Sequence, residues 1–304
     1  MENLKLSIVI PVFNSQDTLE EVINQTEISL NSANGVGTVE FILVNDGSKD
    51  ESNTVCDKLA ERGNVCYFNL TKNFGQHHAL LCGYKEATGD IIVKMDDDLQ
   101  TKPIDVPTLV QALIDQNADV VFARFTNTSV SLFRRGGTWL NNKMATILLD
   151  KPKAVTISGF YAMRDYVAKS ITSYTSPYPY IAGLIFKVTD NVINIDLEQG
   201  QRTSGVSNYT IKKLIRLWIN GFTNFSVKPL RVASVLGAGL SLSGFIFLII
   251  LFIRRLLDAN TQLGWTSIIA AIVFFGGIQL LSLGLIGEYI GRIFISINQF
   301  PQYV

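Results

Sequence analysis

Apolar positions fall along the chain in two regimes. Up to about residue 208, short β-branched runs alternate with segments of helical period, whereas beyond Arg231 the apolar positions become nearly continuous. In the first regime Leu6 to Val12, Glu40 to Asn45, Val65 to Asn69 and Ile91 to Met95 read as strands. The stretches near Thr18 to Leu30, Asp50 to Glu61 and His77 to Ala87 read as the helices between them. Buried-type strands that alternate with helices predict an α/β fold, a mostly parallel sheet covered on both faces. In the second regime Val232 to Ile253 is an uncharged run of about twenty-two residues, and a helix of ~20 residues crosses a hydrocarbon core of ~30 Å. A second span fits Trp265 to Ile286, and the link Arg254 to Gly264 is too short to hold a domain. The two spans therefore predict a transmembrane hairpin with both ends on one side.

Between the regimes, Tyr209 to Phe222 sets Ile211, Leu214, Ile215, Trp218 and Phe222 at helical spacing opposite Lys212, Lys213, Arg216 and Asn220. That is an amphipathic helix, lying either in a headgroup layer or against the soluble domain. The chain thus divides into an α/β domain at 1–208, an interfacial segment at 209–231 and a hairpin at 232–304 with spans near 232–253 and 265–286. Lys212, Lys213, Arg216, Lys228 and Arg231 precede the hairpin and Arg292 follows it, against Arg254 and Arg255 in the link. The basic bias places both ends in the cytoplasm. The start, Met1 to Lys5, is polar and has no signal-peptide pattern, so the α/β domain is expected there too.

Composition narrows the partners. A formal net charge of zero excludes a general nucleic-acid binder, which needs a basic surface. Cys56, Cys66 and Cys82 are odd in number and lack metal-site spacing, so they read as reduced thiols.

In parallel α/β sheets ligands bind beyond the carboxyl ends of the strands. Three stretches lie there: PVFN (Pro11 to Asn14), NDGSKD (Asn45 to Asp50) and DDDLQ (Asp96 to Gln100). The third is the most informative, because an apolar strand ends abruptly in Asp96, Asp97 and Asp98. Adjacent carboxylates repel one another, and a bound Mg²⁺ or Mn²⁺ that bridges to a diphosphate would relieve them. Extended Asp-x-Asp spacing aims Asp96 and Asp98 the same way, and Gln100 can join them. The adjacent His77 and His78 point about a third of a turn apart on a helix, so at most one faces the site.

As a set, IPVFNSQDTL, ILVNDGSKDES, LTKNFGQHHALLCGYKEATGDIIVKMDDDLQ and RTSGVSNYTIKKL, with a two-span tail ending in LGLIGEYIGRIF, resemble the polyprenyl-phosphate glycosyltransferases of family 2. That family includes bactoprenol glucosyltransferases, aminoarabinose transferases and dolichol-phosphate mannose synthase. The resemblance implies a GT-A catalytic domain, an inverting enzyme of a bacterial inner membrane, a nucleotide-sugar donor with UDP foremost, a polyprenyl phosphate acceptor and a homotetramer. By position it implies that Asp96, Asp98 and Gln100 hold the metal and the diphosphate. Pro11, Phe13, Asn14 and Asp46, with Asp97, would form the nucleotide pocket. Arg202 in RTSGVSNY would meet the acceptor phosphate, with Arg124, Arg134 and Arg135 as further phosphate contacts. Lys72 and Asn73 fall in the nucleotide-side loop.

The chain also departs from that pattern. Ser15 stands where many relatives have Glu, Asn45 replaces the first Asp of DDGS, and Gly159 stands where bactoprenol glucosyltransferases often carry an Asp proposed as a base. An ionised phosphate acceptor needs no general base, which makes the last loss tolerable. Two alternatives remain at this point. A processive polysaccharide synthase would require more spans and a QxxRW segment, where Gln199 to Thr203 reads QGQRT; a catalytically silent membrane scaffold would require a broken DDDLQ.

Overall fold

The computed structural model of the chain describes residues 4–33, 36–126, 151–175, 179–198 and 264–297, with Tyr303 and scattered positions between 235 and 253. Two compact units result, one formed by 1–210 with 299–304 and the other by 211–298. Arg134, Arg135 and Arg202, the amphipathic segment and most of the first expected span lie outside the described residues.

The first unit carries a seven-stranded sheet in the order β3-β2-β1-β4-β6-β5-β7. Its strands are β1 (Leu4–Val12), β2 (Val36–Asn45), β3 (Val65–Asn69), β4 (Ile91–Lys94), β5 (Val120–Phe125), β6 (Tyr161–Arg164) and β7 (Val192–Leu197). All neighbours are parallel except that β6 runs antiparallel to both β4 and β5. The first four strands fall where the apolar runs place them. The helices are α1 (Leu19–Asn31), α2 (Ser52–Ala60), α3 (Gln76–Glu86), α4 (Val106–Asp115), α5 (Asp165–Thr172) and α6 (Ile181–Val188).

The period of two along β1 sorts the layers. Leu6, Ile8, Ile10 and Val12 join the core beneath α1, α2 and α4, together with Phe41 and Leu43 of β2. Val9 faces the other way, toward α3, which packs in turn on α5. Both faces are covered, so β1 is a nearly unbroken buried run from Leu6 to Val12.

In the second unit α7 (Trp265–Ile297) is a single helix of 33 residues. It exposes large apolar side chains along its length, among them Ile272, Leu280, Ile290 and Ile297. Among the described residues no helix is long and apolar enough to cross a membrane. The sequence of α7 is uncharged from Trp265 to Gly287.

Close approach of α3 to the sheet depends on one glycine. A Cβ at Gly83 would lie 2.5 Å from Cγ1 of Val9 and 3.3 Å from Cγ2 of Val44, and neither short branched side chain can swing away. Gly83→Ala should therefore destabilise the domain by about 1–3 kcal/mol through overpacking. A thermal melt coinciding with that of the wild type would show that α3 has slack at this point.

Candidate active site

Strand register gathers the three motifs. Val12 of β1 pairs with Asn45 of β2, and Val9 of β1 pairs with Lys94 of β4. The loops at 12–18, 45–51 and 95–102 therefore leave the same edge of three neighbouring parallel strands. Because β4 stops early, its three aspartates run beside the loop that follows β1.

The loop after β1 is tied to its neighbours through its own polar atoms. Asn14 has φ +53°, a left-handed conformation that asparagine tolerates. Its backbone N–H donates to Ser48 Oγ at 3.0 Å, and its Oδ1 accepts from Lys49 N at 2.8 Å. Gly47, at φ +66°, allows a close crossing, since a Cβ there would lie 2.6 Å from Asn73 N. The Asp46 carboxylate accepts from Phe74 N at 2.7 Å and from Gly75 N at 2.9 Å, and so shapes the turn into α3. Burial raises its pKa, against those two hydrogen bonds.

Two of the expected pocket residues are buried. Asp46 is buried with both oxygens on the 74–75 backbone, and Pro11 is buried within β1, paired with Val44. Phe13 and Asn14 are exposed at the mouth. Asn45 is wholly buried; its amide donates to Asn53 and Asn69, and its oxygen accepts from Ser48. An aspartate could accept but not donate there, which accounts for Asn in place of the first Asp of DDGS.

The three consecutive aspartates occupy three environments. Asp96 Oδ1 accepts from Gln76 Nε2 at 3.0 Å and is ion-paired with Lys94, whose side chain is only 2% exposed. Asp97 turns under the loop after β1, where Oδ2 accepts from Phe13 N at 3.1 Å and from the Ser15 hydroxyl. Its own carbonyl accepts from Thr18 Oγ1 at 2.5 Å. Burial pushes the Asp97 carboxyl up to about 6 despite these donors, with Asp96 adding to the rise. Asp98 accepts from Gln100, from N at 3.1 Å and Nε2 at 2.6 Å, and has no cation partner among the described residues. Leu99 between them holds φ +57°, a strained conformation for a residue with a Cβ, and this turns Gln100 back toward Asp98. Asp96 and Asp98 therefore share no hydrogen-bond partner among the described residues. The segment is a turn rather than a continued strand, so strand alternation does not govern it past Met95.

Arg124 forms a fork on Asp196, at 2.5 and 2.8 Å, across the β5–β7 pair. Both side chains are about half exposed, so a phosphate at Arg124 would compete with that carboxylate for the guanidinium. His77 rests edge-on against Tyr180 with centroids 5.3 Å apart, and its Nδ1 is buried with no hydrogen-bond partner among the described residues. Burial, then Lys94, pushes His77 down to about 4, so it is neutral at neutral pH. His78 lies 6.4 Å from the Phe74 ring, so the two histidines diverge as expected. Lys72 sits with Nζ 5.0 Å from the centroid of the Phe74 ring.

Lys94 and Gln76 are the residues that motif reading missed. A lysine inside the apolar run IIVKM, two positions before an aspartate, was the available signal, because a charge in such a strand requires a partner.

Among the described residues no group of three His, Cys, Asp or Glu side chains could cage a metal. The donor set still fits Mg²⁺ or Mn²⁺ bound with substrate. Such ions take one or two carboxylates and fill their shell with water and phosphate oxygens, and Asp98 with the Gln100 amide oxygen supplies hard ligands of that kind.

A mostly parallel sheet with an antiparallel β6 and a carboxylate turn at the edge of β4 is the architecture of the GT-A fold. Among solved structures, glucosyl-3-phosphoglycerate synthase of Mycobacterium tuberculosis in complex with Mn²⁺, UDP-glucose and phosphoglyceric acid matches with a TM-score of 0.50 at 20% identity, over 70% of this chain and 75% of that one. The family described as "Glycosyl transferase family 2" matches residues 7–172, and the "GtrB C-terminal hairpin" matches residues 228–293. Undecaprenyl-phosphate 4-deoxy-4-formamido-L-arabinose transferase of Photorhabdus laumondii is 31% identical over 303 residues, 98% of this chain and 92% of that protein. Its counterpart in Edwardsiella ictaluri is 32% identical over 302 residues, again 98% and 92%. The chain belongs to glycosyltransferase family 2 and is a glycosyltransferase.

The Asp97 environment gives a pH signature. Its carboxyl is raised in the folded protein, so between about pH 4 and 6 the native state holds a proton that the unfolded chain has lost, and stability falls as pH rises through that window. Asp97→Asn has no such loss, and its amide oxygen in the place of Oδ2 can accept from both Phe13 N and the Ser15 hydroxyl. Relative to wild type the variant should gain on the order of 2 kcal/mol between pH 4 and pH 7. Denaturant melts at the two pH values measure this, and an unchanged difference would show that Asp97 carries no extra proton.

Proposed function

We propose that the enzyme transfers a sugar from a nucleoside diphosphate, with uridine diphosphate foremost, to a polyprenyl phosphate at the cytoplasmic face of a bacterial inner membrane. The observation that carries this reading is Asp98 with Gln100 at the carboxyl edge of β4, a carboxylate without a cation partner among the described residues, beside exposed Phe13 and Asn14. The names of the relatives support the lipid acceptor. The Mn²⁺ and UDP-glucose bound to the fold neighbour are in keeping with the donor and the cation.

In the reaction a phosphate oxygen of the acceptor forms a bond to the anomeric carbon as the bond from that carbon to the diphosphate oxygen breaks. The nucleoside diphosphate leaves with the electron pair, and the configuration inverts. A Mg²⁺ or Mn²⁺ on Asp98 and Gln100 would neutralise the charge gathering on the diphosphate. Phe13 and Asn14 hold the nucleotide, and Asp97 keeps their loop in place through Phe13 N and Ser15. The acceptor is already anionic, so it must be bound by cations rather than deprotonated. Arg202, Arg134 and Arg135 take that role in this reading, since Arg124 is paired with Asp196.

An acceptor dissolved in the bilayer calls for an anchor. The hairpin match over 228–293 and the uncharged run Trp265 to Gly287 within α7 support spans near 232–253 and 265–286. A cysteine at Asn260 should then react with an impermeant thiol reagent in intact cells, while one at Ser296 should not. The reverse pattern would contradict the orientation.

The test of function incubates membranes holding the full chain with labelled nucleotide sugars and polyprenyl phosphate, and follows label into the organic phase. Label from one donor should appear there, and Asp98→Asn should lower its rate about a hundredfold or more. Near wild-type transfer by the variant, or no lipid label from any donor, would refute the reading.

A further inference from the structure

Lys94 is a cation that a covered strand does not ask for. It ends β4 with its side chain 2% exposed, and its ammonium pairs with Asp96. Gln76, at the start of α3, donates to the same oxygen, Asp96 Oδ1, at 3.0 Å. On the other side of the carboxylate a Cβ at Gly159 would lie 2.9 Å from Asp96 Oδ2 and 3.3 Å from Lys94 Nζ. The pair therefore fills the space that a side chain at 159 would need. His77, also beside Lys94, is neutral and cannot replace it as the counter-charge. Asp98, two residues on, accepts only from its own Gln100 among the described residues.

We propose that Lys94 is a positioning residue that holds Asp96 out of the metal's coordination shell, leaving Asp98 and Gln100 as the protein's ligands to the cation. This rests on the metal-dependent reading above. A cation placed on Asp96 Oδ1 would meet the ammonium that already occupies that oxygen, and like charges repel. Withdrawing Asp96 from Lys94 would strand a buried ammonium without a partner, which is the costly way to break such a pair. Asp96 thus acts through its fixed position, with Gln76 and Gly159 closing its other sides, and Asp98 acts through its charge.

Electron paramagnetic resonance titration of Mn²⁺ into the detergent-solubilised full chain, with uridine diphosphate present, separates the two roles. Asp98→Asn should weaken Mn²⁺ binding about tenfold or more, and the paired change Lys94→Met/Asp96→Asn, which strands no buried charge, by less than about threefold. Lys94→Met should tighten it severalfold by freeing Asp96, and adding Asp96→Asn should cancel that gain, an interaction that only coupled residues show. Should Lys94→Met fail to fold, the double variant Lys94→Met/Asp96→Asn removes both charges together, and it should bind Mn²⁺ within about threefold of wild type. Equal losses in Lys94→Met/Asp96→Asn and Asp98→Asn would overturn the role of Lys94 and leave the metal reading standing. Unchanged binding in Asp98→Asn would overturn the metal reading and the proposal with it.

Discussion

Three carboxylates at consecutive positions cannot share one environment, and the site is organised by how they are kept apart. Two carboxylates about 5 Å apart repel by roughly 3 kcal/mol at an effective dielectric near 20. The chain relieves this by directing each side chain to different donors. Asp96 turns to Lys94 and Gln76, Asp97 to the backbone and hydroxyl of the loop after β1, and Asp98 to the Gln100 amide. The left-handed Leu99 is the backbone strain accepted in the course of it.

The departures from the family pattern follow from that division. With Asp97 beneath the loop, a Glu at position 15 would bring a second carboxylate against it, whereas the short Ser15 hydroxyl donates to it. With Lys94 and Asp96 paired at the end of β4, an Asp at 159 would collide with them, and glycine does not. Asn45 is required by a buried position that must donate as well as accept. Each change that looks in isolation like a lost functional group is a response to a neighbour. The same division leaves none of the aspartates suited to act as a general base. Asp96 is paired with Lys94, Asp97 is held under Phe13, and Asp98 accepts from Gln100.

Much of the fold was legible because β1 to β4 and α1 to α3 alternate in a run whose periods do not conflict. β5, β6 and β7 were not, since strand pairing between Phe122 and Tyr161 joins residues far apart in sequence, and an antiparallel insertion leaves no local mark. The motifs located the site, but not the direction of each side chain. Asp46 lies in the right loop with its carboxylate on the 74–75 backbone, and Pro11 is buried within β1. Lys94 was readable from burial physics alone, as a charge in a covered strand two residues from an acid. Arg124 was not, because its partner Asp196 becomes its neighbour only through the β5–β7 register.

In the proposed reaction the acceptor's own charge takes the place of a catalytic base. That claim is tested most directly by offering the full-length enzyme polyprenyl phosphate and the matching polyprenol alcohol under identical conditions, with the same labelled nucleotide sugar. Transfer to the phosphate, with transfer to the alcohol slower by about a hundredfold or more, is the predicted result, since general base assistance is commonly worth that much. Comparable rates for the two acceptors would contradict it, because some side chain would then have to remove the proton from the alcohol.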